Sequence, residues 1–291
     1  MSILVIGGTR FMGKHLVETL LCDGHTVTIA TRGIADDSFG DKVKRIIFDR
    51  TDENSIKKAF TGQNYDIVYD QIAYCAKDID ILLKHLPSDR YIQLSTTAVY
   101  HKTYNTCEHD FDPLAEPAIM CSRGEFSYAD SKRHAERLLD QKYSSLNSVS
   151  VRFPFVIGID DYTNRLSFYV EHIIKQIPMY VDNFDSQMAF VRSDEAGRFL
   201  AHFATHPFIG KINGASDGTI SIRDIAKYIK QKTGFSPILS ENGDPAPYNG
   251  EAPYWINTSL AKSIGFSFTP LHEWVYDLID FYLVKFLKES L

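Results

Sequence analysis

The chain has 291 residues, 44% of them hydrophobic and 13% aromatic, and a formal net charge of −6. That composition supports a packed core and excludes a disordered chain, and the length exceeds one ordinary domain of roughly 100–200 residues, so two interleaved lobes are expected. The acidic balance argues against a general nucleic-acid binder, which carries a basic face, but leaves room for local arginines that hold a small anion.

Short apolar runs predict strands at residues 3–6, 26–31, 45–48, 67–69, 91–95 and 149–153. Helical patterns lie between them at residues 14–22, 55–59, 78–85 and 131–142. Strand, helix, strand at this spacing means βαβ units and a parallel sheet, hence an α/β, doubly wound Rossmann fold. The first helix buries Leu16, Leu20, Val17 and Leu21 and stops at Gly24, which suits a C-terminal cap. After about residue 155 the alternation breaks. Ser221-Ile-Arg-Asp224 reads as a capping box opening a helix with Ile222, Ile225, Ala226 and Ile229 on one face. A last helix is expected from near Pro270, burying Trp274, Val275, Leu278, Phe281, Tyr282, Leu283 and Phe286. The expected division is a dinucleotide-binding domain over residues 1–155, completed by about 187–215, and a smaller C-terminal substrate lobe over most of 156–291.

The first strand runs into Gly7-Gly-Thr-Arg-Phe-Met-Gly13 and then a helix, the context that a Gly-rich dinucleotide loop requires. Gly7 permits the tight turn, Gly13 allows close packing of helix on strand, and the helix N-terminus offers N–H groups to a pyrophosphate. Thr9, Arg10, Phe11 and Met12 complete the expected contact set. Arg10 stands where the usual spacing has its middle glycine. The second strand ends in Thr31 and Arg32, where an NAD enzyme would place an acid for the ribose 2′-OH. The missing acid, with Arg10 and Arg32 close in sequence, favours NADP over NAD. Asp49, after the third strand, is a candidate for the adenine edge.

Tyr128-Ala-Asp-Ser-Lys132 puts Tyr128 and Lys132 on one helical face. A phenol is a poor base at neutral pH, and a neighbouring ammonium would stabilise its phenolate; Lys132 could also hold a ribose hydroxyl. Upstream, the fifth strand ends in Ser95-Thr-Thr-Ala-Val-Tyr100, which places hydroxyls at the carboxyl edge of the sheet where open α/β folds bind ligands. Asp160-Asp-Tyr-Thr-Asn-Arg165 leaves that same edge. Arg165, with Arg192 after the 189–191 run, is the candidate anchor for an anionic part of the substrate.

Taken with Asp66-Ile-Val-Tyr-Asp-Gln-Ile-Ala73 and Arg152-Phe-Pro-Phe-Val-Ile-Gly158, these segments resemble the extended short-chain dehydrogenase/reductases, the NAD-dependent epimerase/dehydratase group. The resemblance implies a catalytic set of Thr96, Tyr128 and Lys132, an NAD(P) cofactor and a nucleotide-sugar substrate held by the second lobe. A 4,6-dehydratase is disfavoured, because Thr97 and Ala98 stand where those enzymes carry Asp-Glu. Phe155 stands where many members carry a nucleotide-contacting Asn. The Gly-Gly-Thr-Arg-Phe loop is also similar to that of atypical members, including chloroplast stem-loop RNA-binding proteins. The expected activity is therefore hydride transfer at a sugar hydroxyl or ketone by an epimerase or reductase. The alternative is a non-catalytic NAD(P)-sensing or RNA-binding protein on the same scaffold.

Cys22, Cys75, Cys107 and Cys121 form no Cys-x-x-Cys pair and read as reduced thiols. Cys107 and His109, near His101, fit no common zinc spacing, so no metal is expected. The opening apolar run is too short for a signal peptide, and no run reaches the ~18 residues of a membrane span. A cytoplasmic protein is expected, with a small-molecule substrate, no membrane partner, no nucleic acid on the leading reading, and a homodimer as the candidate assembly.

Overall fold

A computed structural model of the chain describes residues 1–101 and 103–289. Its centre is a seven-stranded parallel sheet. The strands are β1 (Ser2–Ile6), β2 (Thr26–Thr31), β3 (Lys44–Ile47), β4 (Ile67–Asp70), β5 (Arg90–Thr96), β6 (Asn147–Phe153) and, from much later in the chain, β10 (Gly210–Asn213). They lie in the order β3-β2-β1-β4-β5-β6-β10, so the winding reverses between β1 and β4. Open α/β sheets bind their ligands at such a reversal.

Both faces of the sheet are covered, which is why β1 and β4 are apolar at almost every position rather than alternating. On one face Ile3 and Val5 meet α1 (Phe11–Cys22) and α6 (Ser193–His202) through Leu16, Val17, Leu20, Phe199 and Phe203. On the other, Leu4 and Ile6 meet α2 (Glu53–Phe60), α3 (Ala76–His85) and α4 (Tyr128–Lys142) through Ile56, Ile79, Leu82 and Leu138. Each such aliphatic side chain contributes roughly 1.5–3 kcal/mol on burial.

The second lobe has its own core. It is built from β7 (Phe155–Ile157) paired with β9 (Phe190–Arg192), α5 (Arg165–Lys175), β8 (Met179–Tyr180) paired with β11 (Asp244–Pro245), α7 (Ile222–Thr233) and α9 (Val275–Glu289). Tyr169, Ile173, Ile225, Ile229, Ile279 and Phe286 are buried there. A short α8 (Ser259–Ser263) packs against β10. The expected capping box is present: Asp224 N–H donates to Ser221 Oγ at 3.1 Å, and Ser221 N–H to Asp224 Oδ2 at 3.0 Å.

Three expectations need adjustment. α1 and α4 each begin three residues earlier than the apolar pattern suggested, at Phe11 and Tyr128. The reason for α4 is a cap, since Ser127 Oγ accepts from Asp130 N–H at 3.1 Å. The last helix does not start at Pro270: Leu271–Glu273 forms a 3₁₀ turn, and Trp274 breaks it before Val275. Phe281, expected in the core, is 45% exposed because it lies on the outer side of α9.

Candidate active site

A cleft of about 510 Å³ opens at the carboxyl edge of the sheet above the β1–β4 reversal. The Gly-rich loop forms its floor, with Thr31, Arg32 and Asp49 at one end and Tyr74 and Leu94 among its other walls. Gly7 and Gly8 have φ of 97° and 91°, which side chains rarely adopt. A Cβ on Gly13 would lie 2.6 Å from Gln71 Oε1 and 2.9 Å from Gly8 Cα, so only glycine allows this approach. Arg10 is accommodated differently: with φ −140° and ψ 157° it is extended, a conformation open to any residue. The strain falls next door on Phe11, whose φ is 54°. No side chain caps α1 and its first turn has no acid; Gly13 N–H donates to the Arg10 carbonyl at 3.1 Å, and the positive end of the helix carries no counter-charge of its own.

Thr96 ends β5 and Tyr128 opens α4, which brings the Thr96 hydroxyl near enough to the Tyr128 phenol to favour its ionised form. Thr96 Oγ1 accepts from Ala98 N–H at 3.2 Å, which fixes its direction. Although 53% of the Tyr128 surface reaches solvent, partial burial is the largest influence on its phenol and raises its pKa. Thr96 and the Arg165 guanidinium act against it by favouring the phenolate. Lys132 is arranged otherwise than the sequence suggested. Its Nζ donates to the carbonyls of Ala73 and Leu94, both at 2.8 Å, and stands 5.9 Å from the Tyr128 ring centre. Burial pushes its pKa down to about 8, with Asp70 acting in the opposite sense. At neutral pH it is still an ammonium, and the two carbonyls take two of its three donors.

A buried ionic cluster holds these elements in register. Glu136, one turn beyond Lys132, accepts from Ser95 Oγ at 2.5 Å and from Arg152 Nη2 at 2.5 Å and Nε at 3.0 Å. Glu136 and Arg152 are both fully buried. Arg152 Nη1 also donates to the Tyr100 hydroxyl at 2.8 Å, and that hydroxyl donates to Asn213 at 2.6 Å. The cluster ties β5, β6, β10 and α4 together directly behind Thr96 and Tyr128.

The remaining sequence candidates separate. Thr31, Arg32 and Asp49 share the cleft end, where Arg32 acts electrostatically on Asp49. The Asp49 carboxylate accepts from the N–H and hydroxyl of Thr51, at 2.8 and 2.7 Å. Arg10 is directed elsewhere, with its guanidinium 5.8 Å from the ring centre of Tyr162 in the second lobe. Arg165 opens α5, lies over Phe155 at 5.6 Å and forms no ion pair among the described residues. Arg192 does not join it: it pairs with Asp194 at 2.5 Å and lines a separate cavity of about 380 Å³ beside Trp274. Among the cleft residues that escaped the sequence reading are Tyr74, Arg123 and Tyr162. Tyr74 directly follows the Asp66–Ala73 motif, but Arg123 and Tyr162 sit in irregular segments with no periodic signal.

Fold and cleft together define a two-lobed α/β protein with a Gly-rich ligand cleft. The NAD dependent epimerase/dehydratase family model matches residues 3–81, and the resemblance read from the sequence is borne out. Chloroplast stem-loop binding protein of 41 kDa b from Arabidopsis thaliana is 28% identical over 202 residues, which is 65% of this chain and 50% of that protein. The chain thus spans about half the length of this curated relative. Among solved structures, UDP-glucose 4-epimerase from Thermotoga maritima with UDP-glucose matches with a TM-score of 0.75 at 16% identity, over 100% of this chain and 99% of that one. UDP-glucuronic acid 4-epimerase from Bacillus cereus, with UDP-glucuronic acid and NAD, matches with a TM-score of 0.74 at 19% identity over 100% of both chains. These likenesses establish the fold. No helix among the described residues is long and apolar enough to cross a membrane.

Proposed function

We propose that the protein is an NAD(P)-dependent oxidoreductase or epimerase acting on a hydroxyl or ketone of a sugar or nucleotide-sugar-like substrate. The observation that carries this reading is the juxtaposition of Thr96, at the end of β5, with Tyr128, at the start of α4, beside the cleft of the Gly-rich loop. The fold is shared with nucleotide-sugar epimerases, which supports the same class.

The cleft fits a dinucleotide: the close approach at Gly13, the uncapped α1 and the arginine-rich walls suit a diphosphate. Gly7, Thr9, Phe11, Met12 and Gly13 would hold it in the middle, with Thr31, Arg32 and Asp49 at the adenosine end. Lys132 would offer its remaining proton to a ribose hydroxyl. The nicotinamide, when bound, supplies the site that accepts or returns hydride. The chain's own part is proton handling. Tyr128 as the phenol, which burial favours, would donate its proton to a ketone oxygen; in the opposite direction its phenolate, which Thr96 and Arg165 favour, would take the proton from a hydroxyl, while Thr96 hydrogen-bonds the same oxygen. Arg165, without an ion pair among the described residues and electrostatically coupled to Tyr128, would bind an anionic substituent of the substrate. Thr97 and Ala98 provide no acid for an elimination, so a dehydratase is not the reading preferred.

The test is turnover on UDP-glucose and UDP-glucuronic acid, followed by reduced-cofactor absorbance and by chromatography of the sugars, since epimerisation leaves no net absorbance change. Tyr128→Phe should lower turnover ~10²-fold or more while dinucleotide binding survives. Turnover within a few-fold of the parent would make Tyr128 a packing residue. A second reading, RNA binding, is supported by the likeness to the stem-loop binding protein. Binding of a labelled RNA hairpin at physiological salt, with no turnover on any sugar, would favour it.

A further inference from the structure

Within a chain of net charge −6, the cleft walls carry Arg10, Arg32, Arg50 and Arg123 against one carboxylate, Asp49. Arg50 is committed elsewhere: it is buried, and Asp70 takes it in a two-point pair at 2.9 and 2.5 Å. Arg10 and Arg123 are a different matter, because each is laid against a tyrosine.

Arg123 is held flat by three anchors. Its Nε donates to Asp78 Oδ2 at 2.9 Å, its Nη2 donates to the Ile72 carbonyl at 2.7 Å, and its guanidinium carbon is 4.7 Å from the Tyr74 ring centre. Among the described residues its Nη1 makes no hydrogen bond, and about a third of the side chain is exposed. Asp78 is itself buried and lies beside Arg50, so the support beneath Arg123 is rigid. Arg10, at the start of α1, lines the same cleft and lies 5.8 Å from the Tyr162 ring centre. Tyr162 is fixed in turn by Phe11, whose ring stands edge-on at 6.0 Å. No ion pair occupies Arg10 among the described residues.

We propose that Arg123 on Tyr74 and Arg10 on Tyr162 form a two-sided clamp on a diphosphate ester seated at the N-terminus of α1. The proposal rests on the dinucleotide reading of the cleft and assigns the missing middle glycine a purpose. Arg10 removes room from the loop and returns a cation to it, in an extended backbone conformation of its own, with the strain left on Phe11. A guanidinium pre-oriented on an aromatic face loses little freedom when it binds, and its planar fork matches two phosphate oxygens. Tyr162 alone comes from the second lobe, so a ligand held by both arginines would bridge it to the nucleotide side.

The test is calorimetry of the full chain with ADP-ribose, which carries the diphosphate, and adenosine, which does not. Arg123→Gln should weaken ADP-ribose at least tenfold and leave adenosine within twofold, the latter also reporting an intact cleft. Tyr74→Leu, which keeps the arginine but removes its support, should weaken ADP-ribose in the same sense. Raising salt should weaken ADP-ribose more in the parent protein than in Arg123→Gln. ADP-ribose affinity within twofold of the parent in both Arg123→Gln and Arg10→Gln overturns the clamp alone. A parent protein that binds neither ADP-ribose nor NADPH overturns the dinucleotide reading and the clamp with it.

Discussion

His15 Nε2, on α1 behind the Gly-rich loop, lies 3.0 Å from Asp160 Oδ2, in the loop of the second lobe that carries Tyr162. Asp160 Oδ1 in turn accepts from Ser193 Oγ at 2.6 Å, so one carboxylate joins α1, α6 and the inter-lobe loop.

The hydrogen bond to Asp160 raises His15 above its ordinary 6.5, outweighing burial. For Asp160, burial pushes the carboxyl up, but the hydrogen bonds from His15 and Ser193 prevail and leave it below its ordinary 3.8. The histidine contribution is therefore full below 6.5 and lost as pH rises through its raised value. The aspartate contribution is present above 3.8 and lost as pH falls through its lowered value. His15→Gln should cost about 0.5–1 kcal/mol between these limits, a small figure because the pair is partly solvated. Urea denaturation of both proteins across the alkaline range should show the difference shrinking; a constant gap would refute the linkage.

Glu136→Gln leaves the Arg152 guanidinium buried without its counter-charge. The expected loss is about 3–5 kcal/mol of unfolding free energy. Replacing both residues with apolar ones of similar volume should cost less than either single change. Denaturant midpoints of the three variants decide this, and a Glu136→Gln loss below 1 kcal/mol would show that the cluster is slack.

If Arg32 receives a ribose 2′-phosphate, NADPH should bind tighter than NADH by about 1–3 kcal/mol. Arg32→Ala should erase that preference. Arg10→Ala should weaken both cofactors alike, because Arg10 faces Tyr162 rather than Asp49. Equal calorimetric affinities in the parent protein would end the case for NADP.

Arg165→Ala should raise KM for an anionic sugar substrate about tenfold or more and leave NAD(P) affinity unchanged, because Arg165 stands over Phe155 in the second lobe. An unchanged KM would return Arg165 to the role of a surface cation.

The nucleotide half was legible because its signals are local. Alternating runs, Gly7 and Gly13, and the Tyr128/Lys132 spacing each sit within one element. What escaped depends on long-range closure. Arg123 reaches the cleft only because Asp78, 45 positions away, holds it there. Lys132 was read as stabilising the Tyr128 phenolate or holding a ribose hydroxyl; that carbonyls from β5 and the segment after β4 take two of its three protons is long-range and left no mark in the sequence. Arg192 and Arg165 look equivalent in sequence, and the pairing of Arg192 with Asp194 two residues on makes them different.

The position of β10 has a consequence for biosynthesis. Between β6 and β10 the chain leaves the sheet, lays down β7 to β9 in the other lobe, and returns through α6. A nascent chain that has emerged only to residue 155 therefore has β6 as a raw edge and α1 with Leu16, Val17 and Leu20 uncovered, since α6 supplies their lid. Such a species invites edge pairing and association. The nucleotide half cannot close its sheet or cover α1 until α6 and β10 have been made, after the first strands of the other lobe.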